Sequence, residues 1–145
     1  MKARQTWLRA GLLFLVLVET GVGAWQYFFP RSFFADIPTV ALDPPYNQHL
    51  MSDVGGLTLA ITAVVAYAAI HLEYRLVCGA LLGYVVFAVT HVLFHATHLD
   101  GFGAADAVAL VTGLGVLAVV PVALLVLARR IEAERQPVTS AGRLP

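Results

Sequence analysis

Four apolar runs, each about as long as a bilayer is thick, dominate this chain. They cover 7–29, 50–70, 76–97 and 107–128, and a helix needs about 20 apolar residues to cross the hydrocarbon core. Inside lipid every backbone N–H and C=O must find its partner within the protein, so only helices or a closed barrel can span. Barrel strands alternate with period two, whereas AITAVVAYAAI (60–70) and GVLAVVPVALLVLA (115–128) are apolar throughout. Charged residues make up 12% of the chain, against about 25% in a soluble domain. The expected fold is an all-α integral membrane four-helix bundle, a single domain over 1–130, followed by a loose polar tail over 131–145 with Pro137 and Pro145.

Of the nine Lys and Arg residues, only Arg31 falls in the first or third connection. Lys2, Arg4 and Arg9 open the chain, Arg75 sits in the short second connection, and Arg129, Arg130, Arg135 and Arg143 follow the last run. That asymmetry predicts a multi-pass protein of the cell membrane with both termini in the cytoplasm. The connections 30–48 and 99–105 are then the outer loops. A second reading of the first run is a secretory signal, with Lys2 and Arg4, an apolar stretch over 11–18, and small residues at Val22, Gly23 and Ala24. Continuation of the run through Trp25 and Phe29 favours a retained span with an aromatic belt.

Against this background the polar residues stand out. HVLFHATHLD (91–100) places His91, His95 and His98 at i, i+4 and i+7, on one face of the outward-running third helix. The second helix is expected to start at Asp43, an N-cap, with Pro44 in the first turn. His49 and Asp53 then share one face at the same outer depth. Glu19 lies near the middle of the first span, with Gly23 and Gln26 along the same stripe. Asp100 and Asp106 are at the outer surface, and His71 is at the cytoplasmic end. No basic residue within the spans is available to Glu19 or Asp53, so a proton or a bound cation must neutralise them.

Imidazoles at i and i+4 suit a shared metal ion, and carboxylates can complete the shell or orient the rings. The leading expectation is a metal site in the outer half of the bundle, with His91, His95 and His98 from the third helix and His49 and Asp53 from the second. Glu19 would be a ligand or a catalytic proton acceptor beneath it. Imidazole with carboxylate suits Fe, Cu or Zn, and Cys78 reads as a small packing residue. If catalytic, the metal would activate water or oxygen against a lipid-like or small apolar substrate entering from the bilayer.

Other readings stay open. Haem, with His49 or His91 as axial ligand, would make the chain an electron-transfer protein. A non-catalytic accessory subunit of a membrane complex would use the small-residue faces at 55–56, 79–83 and 113–115 for packing. A proton-coupled carrier would use Glu19 and His91 as a relay, and with four spans it would need to oligomerise. Locally, His49 and Asp53 can bond each other and Glu19 can bond His91. Tyr84, one heptad before His91, can be core or a hydrogen-bond partner. Asp106 suits a helix first turn. No basic patch suggests nucleic acid.

The HxxxHxxH spacing over 91–98 resembles the histidine boxes of membrane di-iron desaturases and hydroxylases. Two departures separate it from them: too few histidines for three boxes, and an outward rather than cytoplasmic face. In length, span number and topology the whole chain is similar to small four-helix bacterial membrane proteins of the DoxX-like kind. PYNQHLMSDVGG (45–56) and HVLFHATH (91–98) are similar to segments of small actinobacterial membrane proteins. These resemblances imply a four-helix bundle and assign no catalytic role to any residue.

Overall fold

The computed structural model describes residues 2–42 and 45–135. Among them there is no strand, and six helices follow in order: α1 (Lys2–Phe28), α2 (Pro30–Asp36), α3 (Pro38–Ala41), α4 (Gln48–His71), α5 (Tyr74–Thr97) and α6 (Ala104–Arg135). The chain is thus an all-α bundle, and α1, α4, α5 and α6 are each long and apolar enough to cross a membrane.

The ends of these helices follow local chemistry. Residues 30–41, expected in the outer loop ahead of the second helix, form two short helices, each opened by a proline in its first turn. There the missing N–H costs nothing and the fixed φ already suits a helix. Ile37 is extended ahead of Pro38 (φ −98°, ψ 110°), as a pre-proline residue prefers. Helix α4 begins later than expected, at Gln48. Asn47 is its N-cap, and the Asn47 side chain accepts from the Leu50 N–H at 3.1 Å. Asp43 and Pro44 lie outside the described residues.

The α4–α5 turn is tight. Leu72 caps α4 in the left-handed region (φ 49°), and Glu73 caps α5 by accepting from the N–H groups of Arg75 (3.1 Å) and Leu76 (2.9 Å). The α5–α6 loop turns at Gly101, whose φ of +89° excludes most side chains. Helix α6 continues past 128 to Arg135, so the first residues expected in a loose tail are helical.

Helix α1 runs along α4, and α5 along α6; α4 touches α5 and α1 touches α6, closing a ring of four. Arg9 Nε donates to the Ala69 carbonyl at 3.1 Å, joining the start of α1 to the end of α4. At the opposite end Gly55 of α4 lies against the Tyr27 backbone of α1. Arg4 bonds Glu134, so the start of α1 and the end of α6 share one end of the bundle. Lys2, Arg4, Arg9, Arg75, Arg129, Arg130 and Arg135 all belong to that end, and of the described basic residues only Arg31 lies at the other.

The core also leans to that end. It is built from Leu8, Leu12 and Leu15 of α1, Val65, Ala68 and Ala69 of α4, Val77 to Ala88 of α5, and Ala118 to Ile131 of α6. No residue of α5 beyond Ala88, and none of α6 before Ala118, is buried. Outward-facing Leu17, Leu57, Val64, Leu82, Val86, Val119 and Val126 leave an apolar exterior that suits lipid.

The small-residue faces part company here. A Cβ on Gly55 would come 2.7 Å from the Tyr27 nitrogen, so glycine is required where α1 and α4 meet. A Cβ on Gly79, Gly83, Gly113 or Gly115 would meet nothing within 4 Å. Among the described residues, then, these four glycines are not sites of close helix packing.

Candidate functional site

Helices α1 and α5 face each other across the diagonal of the ring, and among the described residues their backbones do not touch. One side-chain bond crosses the gap. The Tyr84 hydroxyl donates to Glu19 Oε1 at 2.5 Å, with both residues buried (Glu19 6% exposed, Tyr84 2%). Glu19 is placed there by periodicity: Leu8, Leu12, Leu15, Glu19, Gly23 and Gln26 form the buried stripe of α1, spaced three and four apart. On α5 the buried stripe is Val77, Ala80, Leu81, Tyr84 and Ala88. The hydrogen-bond partner of Glu19 is thus a phenol about two helical turns deeper than His91, the residue expected to bond it.

Gln26, nearer the other end of the α1 stripe, is also buried; its amide lies 3.7 Å from the Met51 sulfur. Thr58 and Thr62 face inward on α4, and the Thr62 hydroxyl donates to the Thr58 carbonyl at 2.7 Å. That bond satisfies the hydroxyl within its own helix.

The α5 histidines form a ring ladder rather than a closed shell. His91 stacks on Phe87 (centroids 5.6 Å, interplanar angle 11°), and His95 meets His91 edge-on at 4.7 Å. Both are half-buried. His98 is exposed and ends the helix: its Nδ1 lies 2.8 Å from the Phe94 carbonyl, and its ring stacks on Phe94 at 4.2 Å. His98 thereby acts as a helix end rather than a third member of the ladder.

His49 and Asp53 bond each other at 3.3 Å on α4, with side chains 87% and 64% exposed. They sit at the same end of the bundle as the α5 ladder but form a separate pair. Among the described residues no three His, Cys, Asp or Glu side chains come together as a metal shell. The five ligands expected from the sequence fall into three places: the His91–His95 pair, the His98 cap and the His49–Asp53 pair. Asp106 lies in the first turn of α6, as expected, and Asp100 is exposed in the loop before it.

Tyr84 is the residue the sequence undervalues. Its heptad spacing to His91 is visible, but its place opposite Glu19 depends on which helices lie on the diagonal. Comparison with known proteins finds no matching family model, no matching curated protein and no matching solved structure, so geometry alone carries the function.

Proposed function

We propose that this chain is an integral membrane protein that takes up and releases a proton at Glu19, as a proton-coupled carrier or as the proton-handling subunit of a larger membrane complex. The observation that carries this reading is the Tyr84–Glu19 bond, buried across the bundle diagonal, with no basic residue among the buried residues described. A charge at mid-bilayer costs about 2.5–3.5 kcal/mol on insertion scales, and ionisable residues kept there mark ion and proton pathways. A purely structural crosslink needs no ionisable group; a glutamine would serve it. His91 and His95 lie on the same side of α5 as Tyr84, toward the helix end. The step from Tyr84 to His91 is about 10 Å along the axis, a gap for water to bridge.

The distribution of basic residues supports an orientation with both chain termini in the cytoplasm and the histidine end outside. Protons would then enter or leave Glu19 by way of His95 and His91 from the outer surface.

The test is proton flux into liposomes carrying the purified protein and an internal pH dye, driven by a potassium diffusion potential. Wild type should exceed empty liposomes, Glu19→Gln should fall to their level, and Tyr84→Phe should slow the flux. Equal flux from wild type and Glu19→Gln would sink the proposal.

A metal ion is the second reading, narrowed to His91 and His95. Their 4.7 Å approach at i, i+4 spacing supports it. Solvent or a second copy of the chain would supply the remaining ligands to Fe, Cu or Zn.

A further inference from the structure

The buried interior changes character at Glu19. Among the described residues the buried polar side chains are Glu19, Gln26, Thr58 and Thr62. Helix α1 runs away from the basic end, which carries Arg4, Arg9 and Arg75, so Gln26 lies on the histidine side of Glu19. A Cβ on Gly23 would come 3.0 Å from the Thr58 side chain, and Arg9 bonds the Ala69 carbonyl. This antiparallel register sets Thr58 beside Gly23, and Thr62 level with Glu19 one turn along each helix. Every buried polar side chain described therefore sits at the level of Glu19 or nearer the histidine end. Toward the basic end the buried side chains described are all apolar.

Immediately on that side a layer closes the bundle. Leu15 of α1, Val65 of α4 and Leu81 of α5 lie one turn from Glu19, Thr62 and Tyr84 respectively. Leu124 of α6 packs over Gly11, which places Pro121, one turn before it, level with Leu15. Each spanning helix thus contributes one residue, and all four are less than 2% exposed. Leu12, also fully buried, backs the layer one turn deeper. A buried water needs about two to four polar partners, and these side chains offer none. Apolar constrictions of this kind gate by excluding water.

We propose that Leu15, Val65, Leu81 and Pro121 form an apolar gate that confines proton exchange at Glu19 to the histidine side. In this conformation the carboxyl is reached through the half of the bundle that holds Thr58, Gln26, His91 and His95, and the layer bars the basic end. Passage across the membrane requires the layer to part. This inference rests on the reading of Glu19 as a proton site, and it adds the device that gives the site a direction.

The experiment compares gate variants by proton flux into liposomes, with an internal pH dye and a potassium diffusion potential. Leu15→Ser puts a hydroxyl and room for water in the layer. It should raise the flux about tenfold, as lowering the barrier by about 1.4 kcal/mol would. Leu81→Ser, on the diagonally opposite helix, should do the same and carries the test if Leu15→Ser does not fold. Leu17→Ser, on the lipid-facing side of α1 (75% exposed), should match wild type. The rise should vanish when Leu15→Ser is combined with Glu19→Gln, because the opened path still runs through the carboxyl. Wild-type flux in both gate variants, with Glu19→Gln still reducing it, overturns the gate and leaves the proton site standing. A rise that survives Glu19→Gln also overturns it, since the leak then bypasses Glu19. Failure of the proton reading itself looks different: Glu19→Gln changes the flux in no background, and the gate falls with it.

Discussion

The Tyr84 hydroxyl and Glu19 Oε1, 2.5 Å apart, link two helices whose backbones do not touch among the described residues. Tyr84→Phe removes the donor and leaves a buried carboxyl without a partner, which costs about 1–3 kcal/mol. Replacing both groups, as Glu19→Leu with Tyr84→Phe, should recover most of that loss, because two matched apolar groups can be nearly neutral. Reversible unfolding in mixed micelles measures both. A single mutant as stable as wild type would mean that the bond contributes nothing.

Gly55 and Gly79 predict opposite outcomes for one substitution. Gly55→Ala drives a methyl into the Tyr27 backbone, 2.7 Å from its nitrogen, and should destabilise by about 1–3 kcal/mol as α1 and α4 separate. Gly79→Ala meets open space and should be neutral or stabilising by up to about 1 kcal/mol from helix propensity. Thermal unfolding of the pair in one detergent is the check.

Glu73 holds the α4–α5 turn by accepting two backbone N–H groups of α5. Glu73→Ala should cost about 1 kcal/mol, and Glu73→Ser should retain part of the cap. Amide exchange at Arg75 and Leu76 should quicken in the alanine variant and leave the middle of α5 unchanged.

Orientation is testable with single cysteines in a Cys78→Ser background. Ala35 in α2 and Ala133 near the end of α6 are exposed residues at opposite ends of the bundle. An impermeant maleimide applied to intact cells should label Ala35→Cys and spare Ala133→Cys until the membrane is opened. The reverse pattern would place the termini outside.

The metal reading makes its own prediction. Purified wild type should carry Fe, Cu or Zn that both His91→Ala and His95→Ala lose, while His98→Ala, at the helix cap, keeps it. Equal metal content in all four proteins would remove the His91–His95 pair as a site.

The spans were legible in the sequence because bilayer thickness fixes their length and lipid dictates their composition. Their ends were less so, since end chemistry is a contest between neighbours. Asp43 with Pro44 and Asn47 are both plausible starts for α4, and the structure uses Asn47. Helix α6 runs on to Arg135 because IEAER suits a helix in water, and Arg135 lies 3.8 Å from Glu132 one turn back.

The histidine face was legible as a face, but its partners were not. Spacing along one helix says nothing about which helix lies on the diagonal, and that is what gives Glu19 to Tyr84 rather than to His91. The glycines teach the same limit. Gly55, Gly79 and Gly113 look alike in sequence, and only Gly55 sits where another backbone passes.

Burial on α5 and α6 stops midway, at Ala88 and Ala118. In one leaflet this chain's own side chains complete the packing; in the other, acyl chains or a partner helix would have to. The two leaflets are therefore unequal solvents for this molecule. Changing tail length or unsaturation on the histidine side alone should alter its folding energy, while the same change on the other side should leave it almost untouched.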